Sequence, residues 1–161
     1  MKSSISITDE FKAMAVAYVR AVSMDNPMAG SYEKLSLAES IARDAQSIGA
    51  EMVVARYLGI HDFEPTFNTF KNQADVAGRF EVKWTRYIEG SLIVKDSDRD
   101  QDIAILCTGT SPNYELRGWI PVAIAKKPRY KSDTNKSWWV GQADLRPMET
   151  LQGCNHEIVS I

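Results

Sequence analysis

Apolar residues recur at helical spacing near the start of the chain, at Phe11, Met14, Ala15, Tyr18, Val19 and Val22. The spacing predicts a helix over residues 8–23 that packs through this stripe. Thr8 is a suitable N-cap, with Asp9 and Glu10 in the first turn. Asn26-Pro27-Met28-Ala29-Gly30-Ser31 carries the breakers of a loop. A second helical pattern runs from about Tyr32 to Leu58, with Leu37, Ile41, Ala45, Ile48, Met52 and Ala55 on its apolar face. Gly49 weakens that helix by about 1 kcal/mol relative to alanine, or lets it pack closely on a sheet. Glu51 lies beside the stripe, where a boundary carboxylate reaches out to solvent. Gly59 and His61-Asp62-Phe63-Glu64-Pro65 end the helix.

Strand patterns follow. Phe67 to Phe70 is a short strand or an ordered loop. Ala74 to Lys83 reads as two short strands about a tight turn at Gly78-Arg79, and Ser91 to Val94 as a further strand. Asp102 to Thr108 is apolar enough to be covered on both faces. Tyr114 to Trp119 is another strand. Pro121 suits the first turn of a short helix, Val122 to Lys127, that ends before Pro128. Pro147 opens a last helical turn at Met148 to Leu151. Helix, strands, then a helix on the sheet make an α/β sandwich. With no repeats, linker or low-complexity tract, the chain is one domain over 1–161. It has an N-terminal helix at 8–23, a core over about 32–127 and a basic, aromatic extension over 128–161.

Composition narrows the function classes. The chain has 161 residues, 44% hydrophobic and 25% charged, the balance of a folded globular domain. A net charge of −2 excludes a basic nucleic-acid coat, so any nucleic-acid contact rests on a local basic surface or on metals. Two histidines, and cysteines Cys107 and Cys154 outside any CxxC pattern, argue against zinc. The cysteines fit free thiols in a reduced, cytoplasmic setting. The start of the chain lacks a signal-peptide pattern, and no apolar run is long enough for a membrane span. Asn135-Lys136-Ser137 matches the glycosylation pattern by chance. Asp96-Ser97-Asp98-Arg99-Asp100 has the alternating oxygens of a calcium loop but neither its glycine nor its distal glutamate, so a solvated turn is expected.

Candidate chemistry concentrates at the 74–83 hairpin. Glu81 and Lys83 point the same way on a strand and Val82 the other. A hairpin would bring Asp75 beside them. Two carboxylates about 4 Å apart repel by roughly 4 kcal/mol at an effective dielectric near 20, which a divalent cation would relieve. Helical Glu51, then Asp75, then Glu81-Val82-Lys83 resembles the PD-(D/E)xK nuclease superfamily, over about residues 45–125. Ala74 stands where that pattern has proline, a variable position that carries no chemistry. The resemblance implies a restriction-endonuclease-like core, a central mixed sheet flanked by helices. It also implies a Mg²⁺-dependent nuclease, with Mn²⁺ as an alternative metal, that hydrolyses DNA phosphodiester bonds. Asp75 and Glu81 would hold the metal, with the Val82 carbonyl as a further ligand. Lys83 would orient the attacking water, and Glu51 would position that water or hold a second metal. Without a metal, Lys83 is a structural partner of Glu81 or Asp75.

Asn68, Lys71, Arg86, Lys126, Lys127, Arg129 and Lys131 are candidate phosphate contacts. Trp138 and Trp139 either stack on bases or pack in the core or a dimer interface. A homodimer is the geometric expectation for an enzyme that cuts both strands with one site per chain. The alternatives are a nuclease-like fold serving as a binding or assembly module, and an RNA or nucleotide hydrolase using the same site.

Overall fold

The computed structural model of the chain describes residues 1–23, 35–67 and 73–151. In chain order the elements are β1 (Lys2–Ser4), α1 (Ile7–Ser23), α2 (Leu37–Tyr57), β2 (Phe80–Thr85) and β3 (Leu92–Lys95). They continue with β4 (Ile103–Thr110), β5 (Asn113–Pro121), α3 (Val122–Ala125) and β6 (Ser137–Val140). Four strands form a mixed sheet ordered β1-β5-β4-β2, and β3 pairs with β6 in a separate two-stranded sheet. β2 runs parallel to β4, and the other pairs are antiparallel.

Strand β4 shows how the layers arise. Ile103, Ile105 and Cys107 face the α1–α2 layer, while Ala104 and Leu106 face Leu92, Val94, Val122 and Val140 on the other side. Both faces are buried, as the apolar run predicts. The fold is thus a mixed α/β arrangement, with paired helices on one face and a small sheet plus α3 on the other. Among the described residues no helix is long and apolar enough to cross a membrane.

Helix α2 starts at a capping box: Ser36 Oγ accepts from Glu39 N–H at 3.3 Å and Glu39 Oε2 accepts from Ser36 N–H at 2.8 Å. The predicted start near Tyr32 lies outside the described residues. Ala45, Ile48, Met52 and Ala55 are buried as expected, but Leu37 is exposed. Gly49 serves close packing, because a Cβ there would overlap the Tyr114 hydroxyl. Helix α1 is capped by Ser6 rather than Thr8: Ser6 Oγ accepts from Asp9 N–H at 3.1 Å, and Asp9 Oδ2 accepts from Ser6 N–H at 3.0 Å.

The packing face of α1 corrects the sequence expectation. Its buried residues are Ala13, Val16, Ala17 and Arg20. Phe11, Met14, Tyr18, Val19 and Val22 are exposed. Small side chains let α1 lie close to α2, and the bulkier stripe is left facing outward. The hairpin is also shorter than expected. Val76 makes a single antiparallel bridge with Phe80, and the turn falls at Ala77-Gly78, with φ of 50° and 66°, rather than at Gly78-Arg79. Two consecutive residues at positive φ favour glycine-rich tight turns. β1, which the sequence did not suggest, continues the sheet by pairing with β5.

Candidate functional site at the sheet edge

β2 is the last strand of the four-stranded sheet, bonded on one side to β4. Its alternation sends Phe80 and Val82 into the helical layer. Glu81 and Lys83, in register with Ala104 and Leu106, face the opposite layer. The Asp75 carboxylate accepts the Val82 N–H at 2.8 Å. Because N–H and C=O of one strand residue point to the same side, the Val82 carbonyl faces that outer edge too.

On the β3 side, Lys83 Nζ sits 2.9 Å from Glu81 Oε1 and 2.6 Å from Asp98 Oδ2. The three side chains are 15%, 6% and 2% exposed, so this is a buried carboxylate–ammonium–carboxylate arrangement. Asp98 Oδ2 also accepts from Lys95 N–H at 2.8 Å, closing the turn after β3. Asp98 thus departs from the expectation of a solvated turn, while Asp96, Ser97 and Asp100 are exposed as expected. The aspartate run is held from several sides. Lys126 Nζ donates to Asp96 O, Asp98 O and Asp100 Oδ1. Arg99 binds Asp102 through two nitrogens, at 2.8 and 2.7 Å, and reaches Gly78 O at 2.7 Å. Hydrogen bonding to Asp102 raises the Arg99 pKa. The turn before β2 and the turn after β3 are therefore tied together around the Glu81–Lys83–Asp98 group.

Glu51 is buried on α2, and its carboxylate lies 4.0 Å from Arg20 Nη2 on α1. Arg20 is itself buried, donating to Thr66 O at 2.9 and 2.7 Å and to Asp44 Oδ1 at 3.2 Å. The boundary carboxylate expected to reach solvent is instead enclosed in the helical layer. Among the described residues no three His, Cys, Asp or Glu side chains form a group that could hold a metal ion. The structure thus joins Glu81 with Lys83, adds Asp98 and fixes Asp75 on the same strand. It does not gather Glu51, Asp75 and Glu81 into one metal-holding group. Asp98 had a sequence signal, since acidic residues crowd the turn directly after an apolar strand. Nothing local distinguished the one that turns inward.

The phosphate-contact candidates divide. Arg86, Lys127, Arg129 and Lys131 are exposed. The Arg86 and Arg129 guanidinium groups lie over the neighbouring Tyr87 and Tyr130 rings, at 5.9 and 4.4 Å. Lys126 is committed to the aspartate turn, with its ammonium 5.9 Å from the Trp138 ring. Trp138 and Trp139 lie on β6, Trp138 half-buried and Trp139 exposed. Asn68 and Lys71 lie outside the described residues. No family model matches this chain, and no curated protein or solved structure matches it.

Proposed function

We propose that this chain is a Mg²⁺-dependent nuclease that hydrolyses DNA phosphodiester bonds on a restriction-endonuclease-like core. The carrying observation is the Asp75 carboxylate on the Val82 N–H, beside the Glu81–Lys83 pair on the same edge strand. Asp75, Glu81 and the Val82 carbonyl are hard oxygen donors, the set that Mg²⁺ and Mn²⁺ prefer. Mg²⁺ needs only one or two carboxylates when substrate phosphates and waters complete its shell. A cluster of three acidic side chains is therefore no requirement.

Bound there, the metal would supply Lewis-acid stabilisation of phosphoryl oxygens and a more acidic water. Lys83 carries the positive charge of the site. Its role is to orient the attacking water and to offset charge that develops on the phosphoryl group. Asp98 holds the Lys83 ammonium from the far side and keeps it on this face. Lys127, Arg129 and Lys131 follow Lys126, which is bonded to the turn that supplies Asp98, and are the residues to track a phosphate backbone. For Glu51, the pairing with Arg20 makes a structural carboxylate the better-supported role.

The test is a panel of supercoiled, linear, single-stranded and branched DNA with Mg²⁺ or with chelator. Cleavage that needs Mg²⁺ and is lost in Asp75→Asn and in Lys83→Ala, with folding checked by circular dichroism, supports the proposal. Asp75→Asn keeps an oxygen that can accept the Val82 N–H. No cleavage of any substrate, or cleavage unchanged in Lys83→Ala, sinks it. A second reading, a nuclease-like binding or assembly module, is favoured by one observation: Lys83 already bridges two buried carboxylates. Calorimetry separates the two. A nuclease loses most of its Mg²⁺ affinity in Asp75→Asn, whereas a binding module has none to lose.

A further inference from the structure

Helix α1 is apolar on two opposite sides. Ala13, Val16 and Ala17 pack inward. Ile7, Phe11, Met14, Tyr18, Val19 and Val22 point outward and are between 37% and 68% exposed. The other exposed positions from 7 to 22 are Thr8 and Ala15, so this outer face carries no charge. The charged residues Asp9, Glu10, Lys12 and Arg20 sit at the flanks or inside. An isolated surface helix places its charges the other way round, and a helix apolar on both sides is covered on both.

We infer that this face is covered by α1 of a second copy of the chain, in an antiparallel two-fold pairing. Three features select that occupant. First, Ile7, Phe11, Met14, Tyr18 and Val22, all exposed, recur at spacings of four, three, four and four, the stripe that one helix presents to another. A face that lies in a lipid surface is flanked by several basic residues, whereas α1 has Lys12, paired with Glu64, and the buried Arg20. Second, the area suffices. The six outward side chains expose on the order of 600 Å², so two facing copies remove about 1,000 Å² from water, the lower bound for a specific interface. Third, the face is self-complementary. With the two-fold near Met14, Phe11 of one copy meets Tyr18 of the other, and aromatic pairs of this kind add to the buried area. A parallel pairing would set the two acidic first turns, Asp9 and Glu10, against each other; the antiparallel one separates them and opposes the helix dipoles. The inference stands independently of the proposed nuclease activity.

Light scattering and sedimentation of the full chain over a micromolar to submillimolar range test it. The expected mass is twice the 18.0 kDa of one chain. Phe11→Glu and Tyr18→Glu should each weaken the dimer at least about a hundredfold, because each would bury an unpaired carboxylate. Both side chains are exposed on the single chain, so circular dichroism and the urea midpoint at dilute, monomeric concentration should stay at wild-type values. In Met14→Cys the two new thiols meet across the axis and oxidise to an intermolecular disulfide; Thr8→Cys does not. A single 18.0 kDa species at the highest concentration overturns the inference, including one that floats with lipid vesicles. So does a dimer that survives both glutamate substitutions.

Discussion

Replacing Lys83 by methionine removes a charge while keeping much of the side chain's length and volume. In the native chain its ammonium lies 2.9 Å from Glu81 Oε1 and 2.6 Å from Asp98 Oδ2. Both carboxylates are buried. In Lys83→Met they face each other without the cation between them. Two such charges about 5 Å apart repel by about 3 kcal/mol at an effective dielectric of 20. Removing one partner of a buried ion pair commonly costs about 3–5 kcal/mol. For a chain of this size that corresponds to a melting point lower by about 6–20 °C. Urea unfolding followed by tryptophan fluorescence at neutral pH and low salt measures it. A loss below about 1 kcal/mol would refute the reasoning, since the charges would then be solvated rather than buried. Magnesium adds a second arm. A ligand at a hundred times its Kd stabilises the fold by about 2.7 kcal/mol. If a cation binds at Glu81, Mg²⁺ should stabilise Lys83→Met more than the native chain. An equal response in both proteins would rule out a metal at that carboxylate.

Three further outcomes follow from the packing. Gly49→Ala should destabilise by about 1–2 kcal/mol despite alanine's better helix propensity, because the new methyl meets the Tyr114 hydroxyl. In Gly49→Ala/Tyr114→Phe the cost should be less than additive, and a double-mutant cycle by urea unfolding reads the coupling. Ser36→Ala should cost about 1 kcal/mol by removing the α2 cap; a loss under a few tenths would show that the cap adds nothing. Burial pushes the Cys107 thiol up to about 12 from its ordinary 9.0. With Cys154 replaced by serine, a thiol reagent at pH 8 should label the unfolded chain but not the native one. In the same variant the unfolded chain releases the thiol proton first as pH rises, so stability should fall between pH 9 and about 12, by up to about 1.4 kcal/mol per pH unit. Rapid labelling of the native fold would contradict both.

Much of the layering was legible because it follows from local periodicity. The apolar run at Asp102–Thr108 gave a strand covered on both faces, and the alternation at Glu81-Val82-Lys83 put Glu81 and Lys83 on one side. What local pattern could not supply was the identity of the partner across space. The α1 stripe had the right spacing but the wrong destination, because two apolar faces lie on opposite sides of one helix. Periodicity detects a face and leaves open what covers it. Small residues decide which face a neighbouring helix can approach, and Ala13 and Ala17 won over Phe11 and Tyr18.

The candidate site divides along the same line. Glu81 and Lys83 are two residues apart on one strand, so strand geometry alone predicts their contact. Asp75 reaches Val82, seven positions along the chain, across the tight turn at Ala77-Gly78, close enough in sequence for a hairpin pattern to find. Glu51 and Asp98 depend on tertiary packing. Glu51 was assigned to the acidic group because of its order in the chain, but a buried carboxylate takes the cation that packing supplies, here Arg20 on α1. Asp98 belongs to a turn whose sequence favours solvent at every aspartate. It turns inward because Lys83 is a buried ammonium with Glu81 on one side only, and the turn backbone is already fixed by Lys126 and Arg99. Arg99, on the same turn as Asp98, also acts electrostatically on Glu81, so two cations serve the group and tie the turn before β2 to the turn after β3.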